Sequence, residues 1–160
     1  MPWLIADARP NLTHSMVLLE PQGPPFRDAV FSTTPARAWG LTDIPISYDP
    51  PVSDPLADLV TVTMPAAKSS VAACTLQKAS DPPPKQLVNL KGIPIVVVTA
   101  EASYHTLYDW CTVAFARQTG FEVEHLELEK IGVRGNGHRM FIEKNSDQVA
   151  DVVDSWLDGL

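Results

Sequence analysis

Hydrophobic and polar positions sort this chain into a few strongly patterned segments separated by irregular ones. Trp3 to Arg9 has helical spacing and is stopped by Pro10, whose ring cannot continue a helix. Within His14 to Leu19, the run Met16-Val17-Leu18-Leu19 predicts a short buried strand. It must end at Glu20-Pro21-Gln22-Gly23-Pro24-Pro25, because that segment cannot extend a central ladder. Ile93 to Ala100 is a nearly unbroken, β-branched apolar run, the pattern of a strand covered on both faces, with Pro94 tolerable at its start. Leu107, Trp110, Cys111, Ala114 and Phe115 then recur at helical spacing until Gly120. Val123 to Leu128 is a shorter, more charged run suited to a sheet edge. Asn145, with Gln148 three residues on, reads as a capping box for a last helix. The apolar stripe of that helix is Val149, Val152, Val153, Trp156 and Leu157. The order helix, strand, insertion, strand, helix, strand, helix predicts an α/β fold with a mostly parallel sheet and crossover helices.

From Phe26 to Pro84 the periodicity fails and much of the chain's complement of 15 prolines is concentrated. Ile44-Pro45-Ile46-Ser47-Tyr48-Asp49-Pro50-Pro51 reads as an extended segment outside any ladder, since proline pins φ and removes a donor. Leu56 to Val62 and Ser70 to Lys78 are expected as short helices. An insertion of this length in a compact domain reads as a lid or binding region. A plain surface excursion is the simpler alternative.

The chain has 160 residues, 45% of them hydrophobic, enough for one domain core or a piece of a larger one. Its net charge of −7 argues against a nucleic-acid partner, which requires a basic stripe. No apolar run approaches the roughly 18 residues of a membrane span. Met1-Pro2-Trp3-Leu4-Ile5-Ala6-Asp7 lacks the basic start of a signal peptide and reads as the middle of a helix. Cys74 and Cys111 either pair or sit as small buried hydrophobes. Asn11-Leu12-Thr13 matches a glycosylation triplet of the kind that arises often by chance, and the compartment stays open between secreted and cytoplasmic.

The candidate chemistry centres on Gly132-Val133-Arg134-Gly135-Asn136-Gly137-His138-Arg139-Met140-Phe141. Glycines free this loop to adopt backbone angles that a Cβ forbids, and it delivers one histidine beyond a strand. On its own the loop is a tight turn with an incidental histidine. Glu20 and Glu101, however, each follow a strand of the same predicted parallel sheet, the end at which open α/β sheets bind ligands. A carboxylate that fixes the tautomer of a histidine makes it a general base. The order acid then histidine is the one found in the strand–turn–helix hydrolases. Their nucleophile, on a Gly-x-Ser-x-Gly elbow, is missing: no serine or cysteine of this chain lies two residues after a glycine.

Taken together these residues resemble the C-terminal half of an α/β-hydrolase of the esterase-like branch found in fungi and bacteria. The match is carried by Ala6-Asp7-Ala8-Arg9-Pro10, Leu19-Glu20-Pro21 with Gly23-Pro24-Pro25, Trp39-Gly40-Leu41-Thr42, Tyr48-Asp49-Pro50-Pro51-Val52, Glu101-Ala102-Ser103-Tyr104-His105 and Gly135-Asn136-Gly137-His138. The resemblance implies that residues 1–25 hold the end of the nucleophile helix and the sixth strand. It makes 26–84 a Pro-rich lid-like insertion and 85–160 the seventh and eighth strands with their helices. It implies a Ser-His-Glu triad in which His138 is the histidine and Glu20, after the sixth strand, the acid. Glu101, after the seventh, is the alternative acid. Asn136 is assigned to shaping the turn, His105 has a lesser claim to the pocket, and His14 and His125 are ordinary strand residues. No metal and no cofactor are implied.

The departure from the pattern is the absent elbow. The serine, the oxyanion donors and the first strands of such a protein would all lie upstream. The expectation is therefore a carboxylic-ester (acyl) hydrolase fragment, inactive alone, whose intact form takes a small-molecule ester or acyl substrate. The competing reading is a non-catalytic half-domain that acts as a binding or dimerisation module. Either way, strands of buried type would lack partners, and self-association through the exposed sheet edge is expected.

Overall fold

A computed structural model describes residues 1–160. It has mixed α/β character, built on a small three-stranded parallel sheet. Strands β1 (Met16–Leu19), β4 (Ile95–Thr99) and β5 (Glu124–Glu127) lie in the order β1-β4-β5, so β4 is central. The register aligns Met16 with Ile95 and Val96 with Glu124. All five residues of β4 are buried because both faces of the sheet are covered. Ile95 and Val97 point into one core with Trp3, Leu18, Leu87, Val113 and Phe115. Val96 and Val98 point into a second with Leu128, Val133, Met140 and Val149. Helices α1 (Pro2–Ala8) and α3 (Asp109–Gln118) supply the first core, and α4 (Ser146–Asp158) supplies the second. The period-2 alternation of a strand thus turns one apolar run into the seam between two cores.

The insertion differs from its sequence reading. Only Pro55–Asp58 forms a helical turn (α2), capped by the Asp54 side chain. Thr61–Met64 (β2) and Cys74–Gln77 (β3), expected as parts of short helices, form an antiparallel pair instead. The reason is local chemistry and a covalent anchor. β-Branched residues favour the pleat, Thr63 and Thr75 hydroxyls meet across the strands at 2.9 Å, and Cys74 is disulfide-bonded to Cys111 on α3. That bridge ties the insertion to the crossover helix.

Two further expectations need correction. The inward face of α3 is Cys111, Thr112, Val113, Phe115 and Ala116, whereas Trp110 and Ala114 are only partly buried. The helix is held by packing on β3 as well as on the sheet, so its buried arc is wider than one stripe. On α4, Asn145 makes no capping bond to the helix. Its side-chain amide exchanges hydrogen bonds with that of Asn136 at 2.7 and 3.0 Å, tying the helix start to the glycine loop.

Candidate active site

The loop carrying His138 is built from the bottom up by a small set of fixed points. Gly132, with φ of 89°, ends a 3-10 turn (Leu128–Ile131), and Val133 then donates back to the Leu128 carbonyl at 3.0 Å. Val133 and Met140 are buried in the α4-side core, so the segment between them is a closed Ω-like excursion pinned at both ends. Gly135 takes the second left-handed angle, φ 81°. Asn136 keeps a negative φ and shapes the turn through its hydrogen bonds. It lies fully buried, with its amide nitrogen on Glu143 at 2.7 Å and its carbonyl accepting from Ala102 N–H at 2.8 Å. Gly137 N–H donates to the same Glu143 carboxylate at 2.9 Å. His138 therefore follows two consecutive anchored residues.

Glu20 reaches the histidine from the end of β1. Its backbone is left-handed (φ 50°), a conformation that costs a non-glycine residue about 1–2 kcal/mol and has to be held by its surroundings. Here Glu20 N–H bonds the Val98 carbonyl at 3.0 Å, and the turned side chain crosses the end of β4. Its Oε1 accepts from Ala100 N–H at 2.9 Å. Its Oε2 accepts from Ser103 Oγ at 2.8 Å and from His138 Nδ1 at 2.7 Å. The carboxylate is closed off from solvent while the His138 side chain remains 42% exposed. A carboxylate only accepts, so the His138 proton lies on Nδ1, and Nε2 makes no hydrogen bond within the protein. Such a ring can take a proton from a hydroxyl presented on its Nε2 side and return it, with positive charge stabilised by Glu20.

The alternative acid stands elsewhere. Glu101 accepts from Arg134 Nη1 at 2.8 Å and from Gly135 N–H at 2.9 Å, so it staples the glycine loop to the end of β4 and makes no bond to His138. Ser103 and Tyr104 escaped the sequence reading, and His105, given only a lesser claim there, is also brought to the site. Ser103 donates to Glu20 and also accepts from His105 N–H at 3.2 Å, capping the short turn Tyr104–Leu107. Tyr104 and His105 flank His138, with ring centroids 5.0 and 4.8 Å away, and Phe31 of the insertion packs on Tyr104 at 4.9 Å. Burial, then the charges of Glu20 and Asp109, push the Tyr104 phenol above its usual acidity range. The signal that was available was spacing: Ser103 sits as N-cap after a strand end, and His105 with Asp109 has the i,i+4 spacing of one helical face.

Glu20, His105 and His138 also present nitrogen and oxygen atoms within 4.8 Å of one another, the raw material of a metal site. Their geometry does not converge on an ion. The two imidazoles are stacked with planes 4° apart, so their in-plane lone pairs run side by side, and both nitrogens of His105 are already bonded. A groove of about 400 Å³ lies within the insertion, lined by residues such as Phe26, Arg37, Leu56 and Leu59, and does not include His138.

A buried carboxylate orienting a half-exposed imidazole beyond the ends of parallel strands can work as an acid–base pair. Over 155 residues the chain is 46% identical to a protein named probable secreted lipase phiG from Fungal sp. (strain ATCC 74256). The alignment takes in 97% of this chain and 42% of that protein, so the chain spans about two fifths of the length of its relative. No family model matches the chain, and no solved structure does.

Proposed function

We propose that this chain supplies the acid–base half of a serine-dependent carboxylic-ester hydrolase of the α/β-hydrolase type. The carrying observation is the Glu20–His138 bond, which leaves Nε2 open at the C-terminal end of a parallel sheet. His138 would take the proton of an attacking serine and pass it to the leaving alcohol, while Glu20 holds the tautomer and stabilises the imidazolium. The likeness to a protein named a lipase, across nearly the whole chain, supports an ester as the substrate. Tyr104 beside His138, with Phe31 of the insertion packed on it, offers an apolar wall for the acyl or alcohol part, with residues 26–84 as the covering segment.

The serine is not among those of this chain near the dyad. Ser103 is buried and directs its hydroxyl into the carboxylate, on the Nδ1 side of the imidazole, opposite to the side where a nucleophile has to be. The nucleophile and oxyanion donors would come from the remaining three fifths or so of a protein like the relative, and this chain alone would be inactive. The reading is tested by a chimera in which this chain replaces the matching segment of the phiG protein, with the unaltered phiG protein as reference. The chimera should hydrolyse a short p-nitrophenyl ester and bind a fluorophosphonate probe, while its His138→Ala variant should do neither. Probe labelling of the present chain by itself, or full activity of the His138→Ala chimera, would sink the reading.

A further inference from the structure

Behind His138 lies a polar network that the proton-shuttle reading does not use. His105 and Asp109 are almost fully buried, unusual for two ionisable side chains in so small a core. His105 Nδ1 donates to Asp109 Oδ1 at 2.9 Å, and the Tyr108 hydroxyl bonds Nε2 at 3.1 Å. Burial, reinforced by the Asp109 charge, pushes the Tyr108 phenol far up, so it keeps its proton and donates to Nε2. The second oxygen of Asp109 accepts from Thr99 Oγ1 at 2.7 Å, and Thr99 in turn accepts from His125 Nε2 at 2.9 Å. The chain of bonds therefore runs from β5 through β4 and α3 to His105. Every ring atom capable of a hydrogen bond is used, which leaves the imidazole no in-plane freedom. Its two faces remain, and one of them is covered by His138 with centroids 4.8 Å apart and planes 4° apart.

We propose that His105 is a positioning residue, a rigid aromatic platform that fixes the plane of the His138 ring through stacking. The need for one follows from exposure. Besides its own χ1 and χ2 torsions, one side-chain bond on Nδ1 holds the half-exposed His138 ring, so nothing polar on its other edge resists rocking about those torsions. A ring lying flat against His138 removes that rocking. Tyr104, tilted at 46° to His138, closes the site without setting the plane. The charged and titratable groups around the platform are Asp109 and Tyr108 from its own segment, Tyr104 before it, Glu20 from the end of β1 and His138 from the loop, with Arg37 of the insertion acting on Tyr108. The inference rests on His138 being the proton shuttle, but its test is read on this chain without any activity.

The readout is the imidazole Nδ1–H resonance of His138, shifted far downfield by its bond to Glu20, together with the ring-current displacement of the His138 carbon-bound protons. In the unaltered chain both should be present, with proton–proton contacts between the two rings. His105→Asn keeps a donor for Asp109 but removes the ring, and should broaden the downfield resonance several-fold and abolish the ring-current displacement. His105→Phe keeps a flat ring without the polar network, and should restore both. A sharp resonance in His105→Asn, or no recovery in His105→Phe, would overturn the platform. Absence of ring contacts in the unaltered chain would overturn it even if neither variant folds. Glu20→Gln should erase the downfield signal; if it does not, the dyad reading fails, while the ring contacts still report on the stack.

Discussion

Glu20 and His138 are 118 residues apart in sequence, yet Oε2 and Nδ1 lie 2.7 Å apart, and both are anchored on the turn after β4, Glu20 through Ala100 and Ser103 and the His138 loop through Glu101 and Ala102. The Glu20 carboxylate is held by a left-handed strand end and two donors of the turn after β4, and the His138 imidazole sits on a loop pinned through Asn136 and Glu143. Under the proposed dyad, substituting Glu20 should disable His138 as a base by removing the bond that fixes its tautomer. In the phiG chimera, Glu20→Gln should lower kcat/KM by about 10³–10⁴-fold, as expected when the imidazole tautomer is no longer fixed. Glu101→Gln, which removes only a staple to Arg134 and Gly135, should cost no more than about tenfold. Equal losses would contradict the assignment of the acid.

Asn136 should be as important to the fold as to the site. Its side chain serves Glu143 and Asn145 from a fully buried position, and truncation strands both partners. Asn136→Ala should destabilise the chain by about 1–3 kcal/mol in chemical denaturation, the cost of unpaired buried polar groups. An unchanged midpoint would mean that water replaces the amide freely.

The Cys74–Cys111 bridge closes a loop across the insertion, with 37 residues of sequence separation. Chain-entropy reasoning puts its stabilisation at about 3–4 kcal/mol for a loop of that size. The double variant Cys74→Ala, Cys111→Ala should lose about that much, and thiol titration of the unfolded, unreduced chain should find no free cysteine. Detection of two free thiols would refute the pairing.

His125 supplies a pH dependence. Burial holds its pKa below the ordinary 6.5, so just under that pH the unfolded chain binds the proton that the folded chain refuses. Its contribution to stability is complete above about pH 6.5 and falls away as the pH drops through the folded value. His125→Gln keeps a donor for Thr99 and cannot titrate, so it should flatten the stability curve in the range just below pH 6.5. Identical slopes for the two chains, measured by urea denaturation across that range, would exclude His125 as the source.

The outer edge of β1 bears on association. Met16 and Glu20 N–H groups bond Pro94 and Val98 on β4, so the Val17 and Leu19 amides between them point away from the sheet's only neighbour of β1. We expect the isolated chain to associate through this edge. Val17→Pro removes one outward donor and leaves the β4 ladder intact, so it should raise the monomer fraction in light scattering several-fold. A monomeric parent chain with reversible unfolding would rule the expectation out.

Much of this was legible in residue order. Ile93 to Ala100 announces a doubly covered strand because both faces must be apolar, and β4 lies inside that stretch. Glu20 and His138 were picked out from strand ends and a glycine loop, features set by local backbone chemistry. The hairpin Thr61–Met64 with Cys74–Gln77 was not legible, because its disulfide anchor Cys111 lies on α3, far along the chain, and overrides weak local helical spacing. Glu20 was favoured over Glu101 only through the family resemblance, since no local pattern separates them. Both follow parallel strands, and only the left-handed backbone at Glu20 and the pull of Arg134 on Glu101 send one carboxylate to the histidine and the other to the loop. The sequence by itself determined which groups stand at the C-terminal ends of the strands, since period and turn chemistry are local. Which of them touch, and that His105 lies flat beneath His138, was decided by long-range packing, which no local pattern encodes.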